Sequence, residues 1–234
     1  MIELQDFRAA RRAISSHMRL TPVFKADNFA SKSVFDAPDR LPEMFLKLEN
    51  MQVTGSFKAR GAMNAALALD KEKRANGLCT ASGGNHGMGV IHAARILGVP
   101  VKIFLPTNTP KPKVEKLRAQ GVDVALTGAV WDDANRAAMD HARQSNMAYI
   151  HPFADPKVIA GQGTIALEML EQQPDLDTLV VAIGGGGLIS GVATAARLLR
   201  PAIRIIGVEP TGAATLFESL KAGEVVTLPT VNTA

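Results

Sequence analysis

Three stretches of this sequence combine glycine with residue types that do chemistry. The first, Thr54-Gly55-Ser56-Phe57-Lys58-Ala59-Arg60-Gly61, puts a lysine in the opening turn of a predicted helix. The helix macrodipole disfavours a cation there, so a solvated Lys58 is mildly unfavourable, though ordinary. The functional reading is a lysine whose charge is removed, for instance as a Schiff base with an aldehyde. The second, Ser82-Gly83-Gly84-Asn85-His86-Gly87, collects backbone amides at a helix start beside Ser, Asn and His side chains. It reads equally as an anion- and polar-ring-binding nest or as a tight turn with an asparagine cap. The third is Gly184-Gly185-Gly186-Gly187-Leu188. Four consecutive glycines cost chain entropy unless backbone must approach something closely, and a phosphate at a helix N-terminus is the natural partner.

Other chemistries fail on the same residues. A dinucleotide-binding G-x-G-x-x-G does not fit, because Ile189 or Ser190 stands where the third glycine belongs. No lysine follows the glycine run, which excludes a P-loop. His17, His86, His92, His141 and His151 share no metal-ligand spacing. The single cysteine, Cys79, excludes an internal disulfide and a thiolate cluster. Taken together, the turns supply one candidate aldehyde-reactive lysine, one phosphate cradle and one polar nest. That is equipment for pyridoxal phosphate (PLP), whose ring is an electron sink for a carbanion.

The elements that must position these turns alternate between short β-branched runs and longer helix-period segments. Strands are predicted over Met44–Glu49, Leu78–Ala81, Val101–Leu105, Val122–Leu126, Ala148–Ile150, Leu179–Ile183 and Ile203–Val208. Helices are predicted over Ser56–Leu69, Asn85–Leu97, Lys113–Ala119, Asp132–Ser145, Ile159–Glu171, Leu188–Leu199 and Ala214–Ala222. This is the pattern of parallel βαβ units with right-handed crossovers and sheets covered on both faces. All three turns follow a predicted strand and open a predicted helix, at the carboxyl ends where open α/β sheets bind ligands. No linker cuts the chain in two, so a second domain must come from its middle, with the outer segments joining each other.

The 234 residues are 47% hydrophobic and 21% charged, an ordinary globular balance with room for one large α/β domain or two smaller ones. The net charge is +4 and aromatics are only 5%, so neither a concentrated basic surface nor stacking groups for nucleic acid are present. The one dense basic patch, Lys111 to Arg118, contains Glu115 and reads as the solvated side of a helix. No apolar run reaches the roughly 18–20 residues of a membrane span, and the first sixteen residues lack a signal-peptide core. A reduced, cytoplasmic protein is expected.

Together the motifs resemble the fold-type II PLP enzymes (tryptophan synthase β-like), specifically the threonine/serine dehydratase or ammonia-lyase branch. Lys47 to Gly61 is similar to the cofactor-lysine segment, Ser82 to Gly87 to the S-x-G-N-H segment, and Gly184 to Leu188 to the phosphate loop. The resemblance implies an α/β fold of three-layer αβα parallel sheets in two domains. Residues 1–76 and 155–234 would form the large PLP-binding domain and 77–154 a small mobile one. It implies that Lys58 holds PLP as a Schiff base, that Phe57 packs against the ring and that Asn85 bonds its 3-hydroxyl. Gly184, Gly185, Gly186, Gly187 and Leu188 would bind the phosphate, and Ser82, Gly83, Asn85 and His86 the substrate carboxylate. Lys58 would then remove the α-proton, the β-hydroxyl would leave, and a 2-oxo acid and ammonia would result.

Departures from the family pattern keep alternatives open. Racemases of the family carry a serine base where this chain has Gly83, which makes the serine racemase-like reading secondary. Cysteine synthases typically have N-T where Asn85-His86 stands. Of the family's divalent-cation ligands Glu209 is matched, but Thr215 occupies the aspartate position, so no metal is expected. The resemblance also implies a dimer or tetramer, and further chain beyond Thr233-Ala234 that supplies a partner to the pyridine nitrogen. A truncated, non-catalytic PLP-binding fold is therefore a third reading.

Overall fold

The computed structural model describes residues 1–26 and 43–233. The middle of the chain builds a four-stranded parallel sheet of β3 (Leu78–Thr80), β4 (Val101–Leu105), β5 (Asp123–Leu126) and β6 (Ala148–Tyr149), in the order β5-β4-β3-β6. Alternation along the strands sends side chains to both faces. Ile103 and Leu105 pack under helices α4 (Asn85–Leu97) and α5 (Lys111–Arg118), together with Ile91, Val114 and Leu117. Cys79, Ala81 and Phe104 face the other way, onto Ala134, Ala138 and Ala142 of α6 (Trp131–Ser145). The result is three layers around one sheet, the arrangement that parallel βαβ units require.

The outer segments join each other. Helices α1 (Leu4–Ile14), α7 (Pro156–Gln172) and α8 (Gly187–Leu199) pack around Phe7, Ala160, Leu167, Val192 and the inner face of β7 (Thr178–Ala182), and α2 (Lys58–Leu67) packs through Ala62 and Met63 with Ile14 and Val158. Strand β7 pairs in parallel with β8 (Arg204–Val208), and α9 (Thr215–Ala222) follows. Gly61 and Gly161 let α2 and α7 touch along their backbones, since a Cβ on Gly161 would lie 2.6 Å from Gly61 Cα.

Three observations differ from the expected pattern. A short strand β1 (Val23–Lys25) pairs antiparallel with β2 (Phe45–Lys47), the second strand being the core of the predicted Met44–Glu49 run. The chain leaves that strand early because Glu49 opens a 3₁₀ turn, Glu49–Met51. Helix α1 and the one-turn helix α3 (Lys71–Ala75) were not anticipated, although α1 carries its own signal: Phe7, Ala10 and Ile14 share one buried stripe. Among the described residues the β7–β8 pair is covered on one face only, with Val180, Ile206 and Val208 exposed on the other. Ala234 lies outside the described residues.

Candidate active site

Lys58 is the first residue of α2, placed there by Ser56, whose hydroxyl accepts from the Lys58 amide at 3.2 Å. Its Nζ lies 5.3 Å from the Phe57 ring centroid and donates to Pro152 O at 2.7 Å. Among the described residues no carboxylate pairs with it. Burial lowers the Lys58 pKa from the ordinary lysine value, which favours the neutral, nucleophilic amine.

The chain beyond Pro152 links this lysine to the glycine turn. Phe153 packs where side chains at 185 and 187 would otherwise stand, its ring against 185 and its backbone against 187. A Cβ on Gly185 would meet Phe153 Cδ1 at 2.5 Å, and one on Gly187 would meet Phe153 O at 2.7 Å. His151 fixes this segment: its Nδ1 accepts from the amides of Phe153 (3.2 Å) and Ala154 (2.9 Å), and its ring meets Phe153 edge-on at 4.7 Å. Gly184 and Gly186 are different, because nothing lies within 4 Å of a Cβ built on either. Gly186 has φ 82°, a left-handed backbone that suits glycine, and it caps the start of α8. The turn is thus an open cradle at a helix N-terminus that side chains would fill.

The Ser82–Gly87 turn opens α4 as predicted. Ser82 Oγ accepts from Gly84 N at 3.3 Å, and the first backbone bond of the helix runs from Met88 N to Gly84 O. The amides of Asn85, His86 and Gly87 therefore have no intrahelical acceptor and form the positive end of the helix. Asn85 is exposed, whereas His86 is 3% exposed with Nε2 at 3.0 Å from Ile150 O. Burial holds the His86 imidazole neutral, with a pKa of about 4. Its side chain is committed to the core, so its contribution to the nest is its backbone amide. Trp131 braces the turn from behind, with Nε1 donating to Ala81 O at 2.8 Å and its ring 6.3 Å from Phe153. Helix α4 approaches Lys58 itself, a Cβ on Gly89 lying 3.1 Å from Lys58 O.

All three sequence-predicted stretches therefore meet around residues 150–153. Sequence reasoning did not single out Pro152 or Phe153, although they follow a predicted strand end, the position where ligands bind in such sheets. It also left three charges of the lysine segment without a role. Arg60, fully buried, bonds Glu49 (2.8 and 2.9 Å) and Glu168 (2.6 and 2.8 Å). Lys47 Nζ lies 2.6 Å from the same Glu168, so two cations and two carboxylates balance inside the protein. The charge-assisted bonds to both carboxylates raise the Arg60 pKa against the opposing effect of burial. Glu209, the cation-ligand match, instead accepts from the amides of Leu216 and Phe217, both at 2.9 Å, and caps α9.

Residues 14–234 match the family model described as "Pyridoxal-phosphate dependent enzyme". The chain belongs to that family. It is 41% identical over 223 residues to an L-threonine ammonia-lyase of Thermotoga maritima, covering 95% of this chain and 54% of that protein. It is 40% identical over 231 residues to a serine racemase of Arabidopsis thaliana, covering 99% and 68% respectively. The fold matches the processed form of threonine deaminase isoform 2 from Solanum lycopersicum with a TM-score of 0.88 at 38% identity, over 98% of this chain and 61% of that one. This PLP-dependent chain thus has the fold-type II α/β architecture, and it spans about half the length of the ammonia-lyase it matches. The residues present fit the cofactor: a partly buried amine that no carboxylate pairs with among the described residues, and a glycine cradle with space where side chains at 184 and 186 would be.

Proposed function

We propose that this chain carries the cofactor and substrate machinery of a threonine/serine dehydratase. The observation that carries the reading is the meeting of Lys58, the open Gly184–Gly187 turn and the Ser82–Gly87 nest around residues 150–153. Lys58 holds the cofactor, the amides of Gly184 to Leu188 hold its phosphate, and Phe57 and Asn85 flank its ring. PLP, when bound, supplies an electron sink for the carbanion formed at the substrate Cα. Ser82, Gly83 and the amides of Asn85 and His86 orient the substrate carboxylate, and Lys58 Nζ, whose pKa burial lowers, takes the α-proton. Loss of the β-hydroxyl then leads to a 2-oxo acid and ammonia. We place the small mobile domain at 77–154, around the four-stranded sheet, and the large one at 1–76 and 155–234. A cytoplasmic homo-oligomer of two or four chains completes the reading.

A racemase must exchange a proton on the opposite face of the substrate. Gly83 stands at the family's serine position, and Leu105 and Lys113 already occupy the space of a side chain there. Elimination is therefore the favoured outcome, even though a serine racemase is among the relatives.

Borohydride reduction of the chain mixed with PLP should fix the cofactor on Lys58, located by peptide mass. The same mixture, before reduction, should release 2-oxo acid from L-threonine or L-serine, and Lys58→Ala and Lys58→Arg should abolish both label and release. Labelling at another lysine overturns the assignment. Labelling at Lys58 with no release from either amino acid reduces the function to cofactor binding.

A further inference from the structure

Helix α5 carries a cation that the machinery above leaves unused. A Cβ built on Gly83 would lie 3.2 Å from Lys113 Cε and 2.9 Å from Leu105 Cδ2. The end of the Lys113 stem thus sits beside Gly83, in space that a side chain at 83 would take, and its ammonium is one bond further on. Lys113 is exposed, and among the described residues its Nζ has no hydrogen-bond or ion-pair partner. Close by, the amides of Asn85, His86 and Gly87 present the positive end of α4. An ammonium close to that positive end, unpaired among the described residues, is electrostatically unfavourable unless an anion joins them. The His86 imidazole is buried, neutral and bonded to Ile150 O, so it neither repels nor replaces that anion.

We propose that Lys113 is a substrate-binding residue, its ammonium pairing with the α-carboxylate of the amino acid seated on the Ser82–Gly87 turn. This rests on the dehydratase reading and adds to it a full charge, delivered from a different helix. It also gives Gly83 a second role: the absence of a side chain is what admits Lys113 to the turn. The remaining lysines of the patch, Lys111 and Lys116, keep the role of a solvated helix face.

The test uses the PLP-loaded chain and Trp131, the only tryptophan, whose indole bonds the residue preceding Ser82. Its fluorescence is followed while L-serine, or 2-aminoethanol (serine without its carboxylate), is added to wild type, K113Q and G83A. We expect K113Q to weaken L-serine binding about tenfold, the scale of one charge-assisted contact, with 2-aminoethanol and PLP affinity unchanged. G83A, which pushes the lysine stem aside while keeping the charge, should weaken L-serine in the same selective way. Equal affinity of wild type and K113Q for L-serine overturns the proposal, as does an equal loss for both ligands. Failure of the dehydratase reading is seen separately, as a wild-type chain that borohydride does not label at Lys58.

Discussion

In the proposed function, Lys58 and the glycines of the third turn divide the work of cofactor binding in a way that single substitutions can separate. Gly186 is held at φ 82°, so Gly186→Val strains the backbone and should destabilise the apo-protein as well as the site. Gly184 has no positive φ and nothing within 4 Å of its would-be Cβ. Gly184→Val should therefore leave the melting temperature of the apo-protein within about 2 °C while weakening PLP binding at least about tenfold. Equal PLP affinity in the variant would remove the glycine turn from the site. His86 predicts a pH effect. Its pKa falls from about 6.5 in the unfolded chain to about 4 in the folded one. The unfolded state therefore binds the extra proton first, and stability is full above pH 6.5 and declines as the pH falls towards 4. The difference corresponds to about 3 kcal/mol. Thermal melts of His86→Gln, which keeps a donor for Ile150 O, should show a shallower loss across that window than wild type. At this scale the sequence was most legible where types are unusual, as with Lys58 at a helix start and four glycines together. It was least legible where backbone acts, because nothing about the letters Pro152 or Phe153 announces a carbonyl on Nζ or a ring against Gly185.

The helix that bears Lys58 is fixed by charge as much as by packing. Arg60 faces two carboxylates, Glu49 from the 3₁₀ turn and Glu168 from α7, while Lys47 from β2 shares Glu168. Glu168→Gln would leave two buried cations facing one carboxylate, and loss of one partner from such a cluster costs about 3–5 kcal/mol. The double variant Lys47→Met/Glu168→Gln restores neutrality, so it should recover part of that loss in urea unfolding. Additive losses would mean that the four charges do not act together. The central βαβ elements were legible because their strand and helix periods are clean. Strand β2 was over-extended at its end because Glu49 looks like the polar position of an alternating strand until its bond with Arg60 is seen. Helix α1 went unread although Asp6 accepts from the amide of Glu3 at 2.9 Å, a bond that starts the helix and involves residues visible in the sequence.

Across the whole molecule the apolar surface is unevenly distributed. Val180, Ile206 and Val208 project from the open face of the β7–β8 pair, and Phe217 and Leu220 are exposed on α9. Such a surface drives association. The purified 234-residue chain should show concentration-dependent mass in sedimentation and bind an apolar dye. Val180→Lys/Ile206→Lys should suppress both with little change in melting temperature, since neither residue is buried. A monodisperse wild-type chain at high concentration would contradict this. The expectation of sheets covered on both faces came from the βαβ pattern, which says where helices run along the chain and not which face each one reaches.

The ion cluster around Arg60 also sets an order of events. Its bond with Glu168 spans 108 residues, whereas every pairing of the four-stranded sheet lies between residues 78 and 149. On a ribosome, the central sheet can close while Arg60 still lacks one of its two carboxylates. The helix that carries Lys58 is the earlier of the two in sequence and the later to be locked, waiting for the second half of a clasp whose first half was made long before.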